Sequence, residues 1–109
     1  IRVPVIGGKI PLVYLKFKTL KNRYTNKAHR ATLHTPEEIF SSEEIEQIEK
    51  YASAMKVDFC EFDILRHKGN QKIYIIDVNK TPYGPPDPLN RKDQAIAIKK
   101  LSDAFMQMI

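Results

Sequence analysis

The sequence predicts an α+β fold, a mostly antiparallel sheet with two helices on one face. Three observations carry this. Runs rich in Val, Ile, Phe and Tyr occupy residues 2–6, 9–18, 58–66 and 71–79, with a further short strand candidate at 30–34. The turn sequences Gly7-Gly8 and Gly69-Asn70 join two pairs of these runs, and so short a connection can only link antiparallel neighbours. Two longer stretches, from about Ser42 to Met55 and from about Arg91 to Met108, repeat apolar residues at helical spacing instead. At 109 residues, 42% hydrophobic and 28% charged, the chain can form one domain with a real core.

The elements follow in order. Arg2 to Ile6 reads as a strand, Gly7-Gly8 as a hairpin turn and Lys9 to Lys18 as the return strand. Side chains alternate along a strand, so Leu12, Tyr14, Lys16 and Lys18 share one face, and Val13, Leu15 and Phe17 the other. Lys21 to His29 is polar and basic, a loop sequence. Arg30 to His34 is a short strand that Thr35-Pro36 breaks. Ser41 and Glu44 form an S-x-x-E capping box for the first helix. Glu43, Glu44 and Glu46 lie where the helix dipole favours acids, which explains that acidic run without any function. Ile45, Ile48, Ala52 and Met55 make the helix's buried stripe. Asp58 to Arg66 and Gln71 to Asn79 form a second hairpin. Thr81 to Pro88 carries four prolines in eight residues, a stiff loop that cannot be a central strand. Asn90 then caps the last helix, with Asp93 at its third position and Ala97, Leu101, Ala104, Phe105 and Met108 on its apolar face.

Composition narrows the function classes. No apolar run approaches the ~18 residues of a membrane span. The single Cys60 cannot form an internal disulfide, which suits a reducing compartment and leads us to expect a cytoplasmic protein. Cys60 shares a strand face with Phe62 and Ile64 and reads as a buried structural thiol. The chain starts inside a strand-like run without a Met, so it is expected to be part of a longer protein. The net charge of +5 is uneven: residues 1–36 hold eight Lys/Arg and no acid, while residues 37–109 hold ten Lys/Arg and all thirteen acids. A basic block of that kind suits a polyanion, a phosphate-bearing ligand or a solvated surface. Nucleic acid is disfavoured, because no helix-turn-helix, zinc-finger or aromatic-basic signature accompanies the charge. His29, His34 and His67 are scattered and form no metal-ligand pair. No P-loop, G-x-S-x-G or C-x-x-C motif is present.

The acidic residues of the second hairpin carry the most chemistry. Glu61 and Asp63 share a face of one strand, and Asp77 and Asn79 share a face of the next. A register centred on Asn70 sets Asp63 opposite Asp77 and Glu61 opposite Asn79. Two carboxylates ~5 Å apart at an effective dielectric near 20 repel by roughly 3 kcal/mol. Such a pair gains nothing for the fold unless a cation, a shared proton or a nearby Lys or Arg removes the repulsion. Carboxylates and an amide carbonyl are hard oxygen ligands of the kind magnesium takes. Asp and Asn at a strand end also open turns, and Asn79-Lys80-Thr81-Pro82 is turn-like, so these residues alone leave a metal site and a plain turn both open.

The segment from Lys56 to Gly84, with Asp63, then Asp77-Val78-Asn79, then Thr81-Pro82-Tyr83-Gly84, resembles the C-terminal metal-binding hairpin of the ATP-grasp superfamily. That pattern is an Asp on one strand, acid-x-Asn on the next, and a Pro-Gly loop after it. The earlier hairpin, Arg2 to Lys18, is similar to the strand pair that ends in phosphate-facing basic residues in the same superfamily. The resemblance runs over roughly residues 1–86. Two positions depart from the ligase pattern: Asp77 stands where ligases most often carry Glu, and Glu61 where peptide-forming ligases carry an Arg. Inositol-phosphate kinases of the superfamily also use Asp-x-Asn.

The resemblance implies a single C-terminal subdomain, residues 1–109, of an ATP-dependent carboxylate–amine ligase working through an acyl-phosphate. It implies Mg2+ held by Asp63, Asp77 and Asn79, and ATP phosphates faced by Arg2, Lys16 and Lys18. It assigns no catalytic residue. The implied partners are ATP, a small carboxylate or amine substrate, and the N-terminal subdomains that grip adenine, without which the piece would be inactive. The alternatives are a phosphotransferase of the same fold and a non-catalytic basic binding module.

Overall fold

A computed structural model describes residues 1–17, 30–56, 58–80, 82, 84–86 and 88–108. The described elements are β1 (Arg2–Ile6), β2 (Val13–Phe17), β3 (Arg30–His34), α1 (Pro36–Ile39), α2 (Ser42–Ala54), β4 (Phe59–Arg66), β5 (Ile73–Asn79) and α3 (Arg91–Met108). The strands form one sheet in the order β3-β2-β1-β4-β5, with every neighbouring pair antiparallel. The α+β class and the antiparallel sheet are as the sequence predicts. The basic stretch Lys21–His29, Lys18, and Thr81, Tyr83 and Asp87 of the proline-rich stretch lie outside the described residues. Among the described residues no helix is long and apolar enough to cross a membrane.

β1 is central although it contains Pro4, and the hydrogen-bond pattern shows why the fold tolerates this. Gly7 N–H donates toward β4, to Asp58 O at 2.7 Å, while Ile6 N–H donates the other way, to Lys9 O at 2.9 Å. By alternation the missing N–H of Pro4 faces β2. There the ladder has already opened: the β1–β2 register pairs Arg2 with Tyr14 and goes no further into β1. A proline costs little where no ladder bond is due. The same opening shortens the return strand. Lys9 bridges Ile6 across Gly7 and Gly8, whose φ values of 58° and 79° are those of a tight hairpin turn. Pro11 then falls outside the ladder, and regular pairing resumes only at Val13.

The two long helices take opposite faces of the sheet, not one. Val3, Val5, Val13, Cys60, Phe62 and Ile64 pack with Phe40 and with Ile48 and Ala52 of α2. Tyr51 meets Phe62 edge-on, with centroids 5.6 Å apart. Leu12, Tyr14 and Ala31, from the other face, pack with Leu89 and with Ala97 of α3. Phe105 of α3 meets Phe59 edge-on at 4.9 Å. The reason lies in β1 and β2. Val3, Pro4, Val5 and Ile6 are consecutive buried residues, as are Leu12, Val13 and Tyr14, so both faces are apolar there and each needs a cover.

Thr35-Pro36 ends β3 as expected but also begins α1. Thr35 is its N-cap, Pro36 opens its first turn, and the Glu38 carboxylate accepts from the Thr35 N–H and hydroxyl. The capping box of α2 forms as predicted: Ser41 Oγ accepts from Glu44 N–H at 3.2 Å, and Glu44 Oε1 accepts from Ser41 N–H at 3.0 Å. Glu44 has a second role that the sequence does not reveal. Arg66, at the far end of β4, grips both Glu44 oxygens at 2.9 Å and donates to the carbonyls of Ile39 and Gln71. One guanidinium thus ties α1, α2 and the β4–β5 hairpin together, and it holds the Glu44 carboxyl below the usual range.

Ser41→Ala should therefore cost about 1 kcal/mol, the usual value of a cap. Glu44→Ala should cost roughly 2–3 kcal/mol, because it also strips the acceptors from a half-buried guanidinium. A depressed carboxyl stabilises above its unfolded pKa and loses that stabilisation as pH falls through the folded one. The gap between wild type and Glu44→Ala should be full above the ordinary value of 4.5 and shrink below it. Urea melts measure both quantities, and equal losses for the two variants would contradict the dual role of Glu44.

Candidate metal and phosphate site

Register arranges the polar residues of the α3 face in rows across the strands. One row runs Tyr14 on β2, Arg2 on β1, Asp63 on β4 and Asp77 on β5. The next runs Pro4, Glu61 and Asn79. Asp63 thus faces Asp77, and Glu61 faces Asn79, in the register centred on Asn70. Beyond Asp63, towards the hairpin tip, the register slips by one, and Ile64 faces Ile75.

That slip is a β-bulge with Ile76 as the extra residue, and it makes the site possible. Strict alternation would put Ile73, Ile75, Asp77 and Asn79 on one face. In the fold, Ile73 and Ile75 pack against the α2-side core together with Val78, while Asp77 and Asn79 line a cavity on the other side. The bulge reverses the alternation between Ile75 and Asp77, and Ile76 is left 63% exposed. Bulges commonly re-aim a side chain in this way.

The cavity holds about 430 Å³ and is lined by Arg2, Lys16, Glu61, Asp63, Asp77, Val78 and Asn79. It lies at the Arg2 end of β1, whereas the last turn of α3 lies at the Gly7 end, beside Ile6 and Lys9. Glu61 is buried at 6% exposure. Its Oε1 stands 2.9 Å from Arg2 Nε. The contact is an ion pair and not a hydrogen bond: among the described residues neither the buried Arg2 Nε–H nor the buried Tyr14 hydroxyl has a hydrogen-bond partner. Burial drives the Glu61 carboxyl up to about 7; Asp63 pushes the same way, while Arg2 and Lys16 oppose it. The Tyr14 phenol is raised as well, first by burial and then by Glu61. Asp77 is exposed, and its Oδ1 accepts from the N–H of Val78 at 2.9 Å.

Five of the six residues that the sequence singles out therefore come together: Arg2, Lys16, Asp63, Asp77 and Asn79. The sixth, Lys18, lies outside the described residues. The residue that sequence reasoning left without a role is Glu61, whose pairing with Arg2 needed the β1–β4 neighbourhood to be known. Among the described residues, no three His, Cys, Asp or Glu side chains group closely enough to hold a metal ion. The possible ligand set is two carboxylates and an amide. That set suits Mg2+, which is commonly bound through one or two carboxylates plus substrate phosphates. Cys60 is fully buried, and burial raises its thiol pKa, as befits a structural residue. His34 pairs with Glu38 and Thr32, and His67 accepts from the backbone of its own turn. Comparison with protein-family models, with curated proteins and with solved structures gives no match.

Glu61 gives the metal-free protein a distinct pH response. A carboxyl whose folded pKa is raised above its unfolded value stabilises below the unfolded pKa and loses that contribution as pH rises through the folded one. Stability should fall between the ordinary 4.5 and about 7, by an amount on the order of 3 kcal/mol. Glu61→Gln should flatten that part of the profile. Thermal melts across this range in the presence of a chelator test it, and an unchanged slope in the variant would contradict the assignment.

Proposed function

We propose that this chain is the magnesium- and phosphate-binding part of an ATP-grasp enzyme, an ATP-dependent carboxylate–amine ligase acting through an acyl-phosphate. The observation that carries the reading is the meeting of Arg2 and Lys16 with Asp63, Asp77 and Asn79 around one polar cavity. A basic wall beside opposed carboxylates matches the needs of a polyphosphate that arrives with its cation. Asp63, Asp77 and Asn79 would hold Mg2+, which in such sites neutralises charge on the phosphate oxygens. Arg2 and Lys16 would face the phosphates directly, and Arg2 can do so with a planar fork of donors. ATP, a small carboxylate or amine, and further subdomains that grip adenine would complete the enzyme. A reducing, cytoplasmic setting fits the lone buried Cys60.

One observation favours a phosphotransferase as the second reading. Glu61 occupies the β4 position where peptide-forming ligases carry an Arg, and it is committed to Arg2. A non-catalytic basic module is supported less, since it gives no reason for Asp63 to face Asp77.

The test is manganese titration of the chain by amide NMR. Paramagnetic broadening should centre on residues 61–65 and 76–80. Asp77→Asn should abolish it while leaving the metal-free protein as stable or slightly more so, because one of two opposed charges is gone. Broadening spread over surface acids such as Glu43 and Glu46, or a large stability loss in Asp77→Asn, would count against the site.

A further inference from the structure

The cavity wall contains one interaction that cation and phosphate binding leave without a task. Arg2 is directly opposite Asp63 in the β1–β4 register. Its ion pair nevertheless runs diagonally, to Glu61. The Glu61 side chain is only 7% exposed, whereas Asp63 is half-buried. The guanidinium sits on the Glu61 carboxylate, with Nε 2.9 Å from Oε1, and not on the Asp63 carboxylate directly opposite it. A guanidinium turned instead onto Asp63 would occupy the same oxygens that a divalent cation needs, since Arg pairs with carboxylates through two parallel bonds.

We propose that Glu61 is a positioning residue that sequesters Arg2 and thereby keeps Asp63 open to a divalent cation. Glu61 itself is not a ligand. It also fixes the guanidinium as part of the cavity wall, where Arg2 and Lys16 are the lining cations. The inference rests on Asp63, Asp77 and Asn79 being the cation site.

The test is a double-mutant cycle on the full chain with Mn2+ as the only probe, its affinity read by electron paramagnetic resonance. Arg2→Met keeps the aliphatic stem and removes the charge. With Arg2 present, Glu61→Gln should weaken Mn2+ binding about tenfold or more, and in the Arg2→Met background by no more than about threefold. Equal losses in the two backgrounds would make Glu61 a ligand or a plain source of negative charge, and would overturn the proposal. A second measurement needs no metal. In nitrogen-15 spectra the Arg2 Nε–H signal should move in Glu61→Gln while the amide spectrum keeps its dispersion. Asp63→Asn should then shift that signal strongly in the Glu61→Gln background and weakly in wild type. An Arg2 signal indifferent to Asp63 in both backgrounds would also overturn the proposal. If wild type fails to bind Mn2+, the cation site itself is wrong, and the Arg2 signal still reports whether Glu61 governs the guanidinium.

Discussion

Asp63 and Asp77 facing each other across β4 and β5 is the constraint around which the rest of the site is arranged. Their repulsion, roughly 3 kcal/mol if unscreened by neighbours, must be outweighed elsewhere. The opposite face of the same two strands does so. Cys60, Phe62 and Ile64 are buried against α2, with Ile75 and Val78 packed at their side. Burying each large apolar side chain is worth about 1.5–3 kcal/mol, so the core fixes the register and the acids have to accept it. A slip of one residue would turn Phe62 to the polar face and Asp63 into the core. The bulge at Ile76 reconciles the two demands within β5, where apolar and acidic residues would otherwise share a face.

The helices divide the sheet accordingly. α2 lies on the face that β4 and β5 need covered, and Arg66 pins that arrangement through Glu44 and the Ile39 carbonyl. α3 lies on the other face, against β1 and β3. Its packing on Tyr14 and Ala31 dries one side of the sheet right up to the polar row. The result is a cavity with one dry wall, where Glu61 is buried, and one wet wall, where Asp77 and Asn79 are exposed. Charge interactions near the dry wall are stronger than those near the wet one. At the dry wall burial works against the Glu61 charge and Arg2 works for it.

Much of this was legible in the sequence because local rules agreed with the global fold. The caps at Ser41 and Asn90 and the Gly7-Gly8 turn follow from short-range patterns, and the predicted facing of Asp63 and Asp77 is met only because the bulge restores that register. Four features were not legible for physical reasons. The strand order β3-β2-β1-β4-β5 brings Arg2 beside Asp63 by a non-local pairing that no spacing rule encodes. The opposite placement of α2 and α3 depends on β1 being buried on both faces, which its run of apolar residues permits but does not assign to particular helices. The bulge resolves a conflict between Ile75 and Asp77 that alternation alone hides; the adjacent Ile75-Ile76 pair was the available signal. The grip of Arg66 on Glu44 joins residues far apart in the chain, and only the packing of α2 on β4 brings them together.

The central claim is that Asp63, Asp77 and Asn79 hold a divalent cation that faces phosphate. The most direct measurement is an anomalous difference map from crystals of this chain grown with Mn2+ and a non-hydrolysable nucleoside triphosphate. The account expects one strong peak between β4 and β5, within about 2.0–2.3 Å of oxygens from Asp63 and Asp77, with phosphate oxygens on its Arg2 and Lys16 side. A map with no peak there, while manganese occupies other acids of the same crystal, would contradict it.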